Sequence, residues 1–246
     1  MLVFDFDGVL IDSMEEVLVS AFNAATTSLV SRVEDIGCNF APLFRRNRCS
    51  ARSAGEMVLL ARWCLEQANT NPAAKIDRET FVAWMQQLKE RLLGSEQRLF
   101  EVRTRLAESN AAAWLALNQP YQPIFDFVKS RYNLETVILT LKNKRAVLEI
   151  CAHYGLKLKP ENVYAGDGGT EKIQNLESIF KRFAVEQVTF VDDSITNLLE
   201  LRQSRGASTL KLLHANWGYV GEGDAKRAAE AGIRSLSQEE LISVCP

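Results

Sequence analysis

The sequence has no C-x-x-C pair. Its five cysteines, at 38, 49, 64, 151 and 245, lack both the spacing of a zinc site and the close, even spacing of a disulfide framework. A reducing compartment, the cytoplasm, is therefore the expected location. Charge of one sign is not in excess either: 29 Lys+Arg stand against 31 Asp+Glu, for a net charge of −2. That balance removes the global electrostatic motive for binding nucleic acid or an anionic membrane surface. No run reaches the ~18 apolar residues of a membrane span. Asp5 and Asp7 interrupt any signal-like stretch at the start, so a soluble, unexported protein is expected. Repeats and low-complexity tracts are also missing. What remains is a chain of 246 residues, 47% hydrophobic, long enough for one large or two modest globular domains with a specific ligand.

The local pattern changes character twice. Residues 2 to 6 form a short apolar run closed by Asp5, Asp7 and Gly8, which reads as a buried strand entering a tight turn. From about Met14 to Asn118 the composition is helical, rich in Ala, Leu, Glu, Gln and Arg, and predicts four or so helices. Ser53-Ala-Gly-Glu56 has capping-box spacing, and Asp77 and Ser95 are candidate caps. Beyond Pro120 and Pro123, apolar β-rich runs at 136 to 140, 163 to 165, 188 to 192 and 208 to 213 alternate with helical stretches. The expected fold class is α/β: a Rossmann-like parallel sheet with helices on both faces, formed by residues 1–13 and 120–246. Residues 14–119 are expected to form an inserted all-α helical cap domain.

In an open parallel sheet, ligands bind beyond the carboxyl ends of the strands. Three predicted strands stop there at Asp5 and Asp7, at Thr140, and at Asp192 with Asp193. Two acidic pairs gathered at one edge repel and raise one another's pKa unless something positive sits between them. A hard divalent cation held by oxygens, Mg²⁺ above all, meets that need and also takes phosphate oxygens as ligands.

The stretch Asp5-Phe6-Asp7-Gly8-Val9-Leu10-Ile11-Asp12-Ser13 resembles the first motif of the haloacid dehalogenase superfamily, D-x-D-G-x-[LIV]-x-[DN]-[ST]. Val137-Ile138-Leu139-Thr140 matches the second, Lys172 the lysine motif and Phe190-Val191-Asp192-Asp193-Ser194 the acidic one, in the superfamily's order. The helical middle stands where that superfamily often inserts a cap. Two departures are visible: Ile173 follows Lys172 where the family often has proline, and Asn197 stands where many members carry a further Asp. Lys142 or Lys144 therefore remains an alternative to Lys172. Which of Asp192 and Asp193 ligates the metal also stays open, and Ser194 or Asp193 could serve as a helix N-cap.

The resemblance implies a Mg²⁺-dependent phosphatase, a phosphoric monoester hydrolase acting on a small phosphorylated metabolite as a monomer or homodimer. Asp5 would be the nucleophile, Asp7 the general acid and base, and Thr140 and Lys172 the charge stabilisers. Asp5, Asp7, Asp192 and Asp193 would form the metal site, while Gly8, Thr140, Leu141, Lys142 and Arg45 would bind substrate. Asp7 argues against dehalogenation, which needs neither that acid nor a metal. A sugar phosphomutase shares every core residue and is the alternative, with a catalytically silent binding protein behind it. His214-Ala-Asn-Trp217-Gly218-Tyr219 resembles a segment of phosphoglycolate phosphatase-like members, with only an indirect part in catalysis expected. Arg45, Arg46, Arg48 and Arg52 form a basic stretch suited to clamping a second anionic group or to a solvated loop. Hinges for a mobile cap are expected near Ser13 to Glu16 and Asn118 to Pro123.

Overall fold

The computed structural model describes residues 1–88, 94–131, 136–167, 171–183, 187–203 and 209–244; Cys245 and residue 208 lie outside them. The chain divides into two compact units, Met1–Asp12 with Gln119–Pro246, and Ser13–Asn118.

The first unit is built on a six-stranded parallel sheet. Its strands are β1 (Leu2–Phe4), β4 (Thr136–Leu139), β5 (Val163–Tyr164), β6 (Val188–Asp192), β7 (Leu210–Ala215) and β8 (Arg234–Leu236), in the order β5-β4-β1-β6-β7-β8. The apolar runs are continuous rather than alternating because both sheet faces are buried. Val3, Val137, Leu139, Val188 and Phe190 point into one core, while Phe4, Ile138 and Val191, one residue out of phase, are equally buried on the other side.

Right-handed crossovers decide which helix covers which face. The chain steps from β1 outward to β4 and β5 through α7 (Gln122–Arg131) and α8 (Lys144–His153). It then returns to β6 through α9 (Lys172–Phe183) and continues the other way through α10 (Ile195–Arg202) and α11 (Asp224–Glu230). Leu176, Ile179, Leu198, Leu201 and Ala228 of α9, α10 and α11 accordingly join the core cluster of the first face. The direction reverses beside β1, so the carboxyl ends of β1, β4 and β6 meet at a topological switch point. A last helix, α12 (Gln238–Val244), follows β8. A small antiparallel pair, β2 (Ile11–Asp12) with β3 (Gln119–Pro120), joins the points where the chain leaves this unit and re-enters it.

The second unit contains only helices among its described residues: α1 (Met14–Thr26), α2 (Phe40–Asn47), α3 (Ala54–Gln67), α4 (Arg78–Gln86), α5 (Ser95–Ser109) and α6 (Ala111–Ala116), with short 3₁₀ turns. Ser53 caps α3 by accepting from Glu56 N, and the Glu56 carboxylate reaches back to the N–H groups of Arg52 and Ser53, as in a capping box. Asp77 caps α4 through Thr80 N. Ser95 is not a cap: Gly94, at φ +82°, occupies that position, and Ser95 is the first helical residue. Two ion pairs are sunk into this unit. Arg103 grips Glu16 with Nε to Oε1 at 2.8 Å and Nη2 to Oε2 at 2.9 Å, and Arg78 grips Glu56 at 2.7 and 2.9 Å.

Candidate active site

The site grows from the end of β1. Asp5 N still donates in the parallel ladder, to Val191 O at 2.9 Å, and the chain then breaks away from the sheet. Gly8, at φ +84°, closes a tight turn with its N–H on Ile11 O at 2.8 Å, while Leu10 N and Ile11 N return to Phe6 O. No other residue fits at Gly8, because a Cβ there would overlap the Asp193 carboxylate.

Asp5, Asp192 and Asp193 converge, each buried and each offering an oxygen within 4.8 Å of the others. Lys172, from the start of α9, reaches into this group with Nζ 2.8 Å from Asp5 Oδ2 and 2.7 Å from Asp192 Oδ2. Three carboxylates so close repel one another. Burial and the neighbouring Asp192 and Asp193 therefore hold the Asp5 carboxyl well above the usual carboxylate range despite Lys172. Burial pulls the Lys172 ammonium the other way, but Asp192 and Asp5 outweigh it and keep Lys172 charged.

The two lysines left open by the sequence serve different carboxylates. Lys172 meets Asp5 and Asp192, whereas Lys142, buried beyond the end of β4, places Nζ 3.1 Å from Asp7 Oδ1. Lys144 does neither: its N–H is capped by Asp167 at 2.8 Å at the start of α8. The Asp7 carboxylate is outside the buried acidic cluster. Thr140, buried at the end of β4, accepts from Lys142 N at 3.1 Å, so its own hydroxyl proton is available to a ligand. Leu141 follows in a tight turn, its carbonyl so close to Gly166 that a Cβ there would lie 2.5 Å away.

Asp192 and Asp193 also divide their work. Asp192 Oδ1 accepts from Ser194 N at 2.8 Å, and Oδ2 accepts from Lys172 and from Asn197 Nδ2 at 3.0 Å. Ser194 is the N-cap of α10, receiving Asn197 N. Asp193 Oδ2 accepts from Tyr219 N at 2.6 Å, and the Asp193 carbonyl meets His214 Nε2 at 3.1 Å. The His214–Tyr219 segment thus touches the acidic cluster through Asp193. Asn197, His214 and Tyr219, which the motifs contain but to which they assign no site role, hold the acidic pair in place.

Arg45 belongs to the helical unit, where it forms a two-pronged pair with Glu15 at 2.7 and 2.6 Å. Arg46 donates to Pro72 O and Arg48 to Ala51 O. Burial pushes the Cys151 thiol up to about 12 and the Cys64 thiol in the same direction, which favours the uncharged form of both. No disulfide forms among the described residues.

The sequence signature of haloacid dehalogenase-like hydrolases matches residues 1–205. The chain belongs to this family of hydrolases. As a member of that family it is an enzyme, a hydrolase. Three solved structures place the fold in context. A predicted phosphoglycolate phosphatase from Haemophilus somnus has a TM-score of 0.63 at 14% identity, covering 100% of this chain and 97% of the other. A predicted phosphatase from Clostridium acetobutylicum gives 0.57 at 16%, covering 98% and 95%. A haloacid dehalogenase-like family protein from Streptococcus pneumoniae gives 0.56 at 13%, covering 98% and 96%. No curated protein matches the chain. Among the described residues of this haloacid dehalogenase-like hydrolase, no helix is long and apolar enough to cross a membrane.

Proposed function

We propose that this enzyme is a Mg²⁺-dependent phosphatase that hydrolyses a small phosphorylated metabolite through an aspartyl-phosphate on Asp5. The observation that carries the reading is the buried group of Asp5, Asp192 and Asp193, each offering a ligand oxygen within 4.8 Å of the others. Oxygen-only donors suit a hard ion, and the raised pKa of Asp5 is the strain such an ion relieves. Asp5 and Asp193 would hold it, with the main-chain carbonyl of Asp7 by family resemblance. Asp192, already engaged by three donors, serves Lys172 instead. When bound, Mg²⁺ orients the phosphoryl group and offsets the repulsion between two anions.

The chain's own residues do the rest. An Asp5 oxygen attacks phosphorus in line, and the bond from phosphorus to the leaving oxygen breaks. Asp7, protonated, gives its proton to that oxygen. As a carboxylate it then takes one from the water that attacks the Asp5-bound phosphorus and frees Asp5. Lys142 holds Asp7 in place between the two steps. The Thr140 hydroxyl and the Lys172 ammonium are preorganised donors to the phosphoryl oxygens and to Asp5. The helical unit would act as a cap that supplies specificity, with Arg45 as a clamp for a second anionic group. The absence of a paired-cysteine pattern supports a cytoplasmic setting.

Purified enzyme should release p-nitrophenol from p-nitrophenyl phosphate, lose that activity in EDTA and regain it with Mg²⁺, while excess Ca²⁺ inhibits. Phosphoglycolate is the first metabolite to assay, because the H. somnus relative carries that name. A rate that ignores chelation overturns the metal reading. Conversion of a sugar phosphate into its isomer without phosphate release overturns hydrolysis.

A further inference from the structure

Beyond the end of β7 the chain turns back over the site. Asn216 N bonds Leu236 O at 3.0 Å and fixes the start of the turn on the neighbouring strand β8. Trp217 Nε1 then donates to Val9 O at 3.0 Å, and Tyr219 OH to Asp12 Oδ1 at 3.0 Å, so the turn is tied at two points to the loop that carries Asp5 and Asp7. Between those ties Gly218 passes so close that a Cβ on it would overlap Gly8 O and lie 2.5 Å from Asp193 Cβ and Oδ2. Gly8 lies against the same carboxylate, where a Cβ on it would also overlap Asp193 Oδ2. The carboxylate of Asp193 therefore sits in a slot walled by two glycines and floored by the Tyr219 N–H at 2.6 Å, while His214 Nε2 holds its main-chain oxygen at 3.1 Å. A carbonyl can only accept, so His214 carries its proton on Nε2, and Nδ1 meets Ser235 Oγ at 2.8 Å.

We propose that Gly218 and the main-chain N–H of Tyr219 are positioning groups for the Asp193 carboxylate, and that the turn at 217–219 sets the affinity of the site for its divalent cation. The inference rests on reading Asp193 as a metal ligand. Asp193 Oδ2 accepts from the Tyr219 N–H and the two glycines crowd the side chain, so the carboxylate that offers a ligand oxygen to the cluster is oriented by the protein. A ligand held this way loses little freedom on binding, and groups that orient ligands typically change metal affinity by about 10–100-fold when removed.

The test is Mn²⁺ binding to metal-stripped enzyme, followed through the spin-resonance signal of free Mn²⁺, with near-ultraviolet dichroism and metal-free melting as controls. Gly218→Ala should raise the dissociation constant about 10–100-fold. Trp217→Phe, which loses only the indole tie to Val9, should raise it by about three- to tenfold and fold normally. Tyr219→Phe keeps the N–H and should bind within about twofold of wild type. Wild-type affinity in Trp217→Phe overturns the inference whether or not Gly218→Ala folds. So does a Tyr219→Phe loss as large as that of Gly218→Ala, since the hydroxyl would then carry the effect. A wild-type enzyme that takes up no Mn²⁺ sinks the metal reading itself, which is a distinguishable result.

Discussion

The two units treat buried charge in opposite ways. In the helical unit the two buried glutamates each meet an arginine: Glu16 is fully buried against Arg103 and also accepts from Ser20, and Glu56 is matched by Arg78 and by Arg52 N. In the α/β unit Asp5, Asp192 and Asp193 crowd together at one point, with Lys172 bridging Asp5 and Asp192. A matched pair costs its desolvation and returns a fixed geometry, so it ties helices together. An unmatched cluster is a standing cost that a fold retains for what it can bind. Charge balance thus separates scaffold from chemistry without reference to any motif.

The comparison breaks most visibly at Asp5. Asp5→Asn should lower the rate by more than about a thousandfold, a barrier rise of about 4 kcal/mol or more. It should also raise the melting temperature of the metal-free protein at pH 7. The sign follows from the raised folded pKa: ionising Asp5 above its unfolded value costs stability, and the amide removes that cost. A residual rate above a thousandth of wild type, or a fall in melting temperature, would count against this account.

The helical unit should behave in reverse. Glu16→Gln leaves Arg103 buried without its counter-charge and should destabilise by about 3–5 kcal/mol in denaturant titration, while Glu16→Leu with Arg103→Met should recover most of that. If the single substitution costs no more than the double, the pair is not what binds α1 to α5.

A smaller effect is expected at Glu56. Burial drives its carboxyl up, but Arg78 and the N–H donors of Arg52 and Ser53 prevail and hold it below its ordinary value. A depressed folded pKa gives stability that is present above the unfolded value, about 4.3, and lost as pH falls through the folded one. Glu56→Gln should cost about 1–3 kcal/mol at neutral pH, with a difference from wild type that shrinks under acid. A difference independent of pH would remove the carboxylate from the argument.

The smallest change belongs to Arg45. Its pair with Glu15 is exposed, so Arg45→Ala should alter stability by less than about 1 kcal/mol. A KM that rises for a metabolite carrying a second anionic group and not for p-nitrophenyl phosphate would make Arg45 a clamp. Equal KM values would leave it a surface pair.

Much of the site was legible because it is local. Asp5, Thr140 and Asp192 each end an apolar run, and parallel strands deliver run ends to one edge. The partners of those residues were not legible, since they depend on distance in the chain. Lys142 and Lys172 could not be told apart until the structure gave each its own carboxylate. Asn197 reads as a missing acid, yet it works as a donor to Asp192, a role set by the first turn of α10. Tyr219 acts through its main chain, which no side-chain motif encodes. In the fold, β8 and the pair β2–β3 escaped notice because Arg234-Ser-Leu236 and two-residue strands carry no apolar run. The start of α5 was misjudged because Gly94, rather than Ser95, takes the left-handed turn.

The pairing of Ile11 with Pro120 and Asp12 with Gln119 has a consequence for ancestry and engineering. Exit and return lie side by side, so the sheet sees everything from Ser13 to Asn118 as one long hairpin loop. Lengthening a loop whose ends already meet costs only the logarithm of its length. A two-residue Asn-Gly turn could close the same ladder. Inserts of different size could therefore be spliced at this point, each leaving the register of the parallel strands untouched.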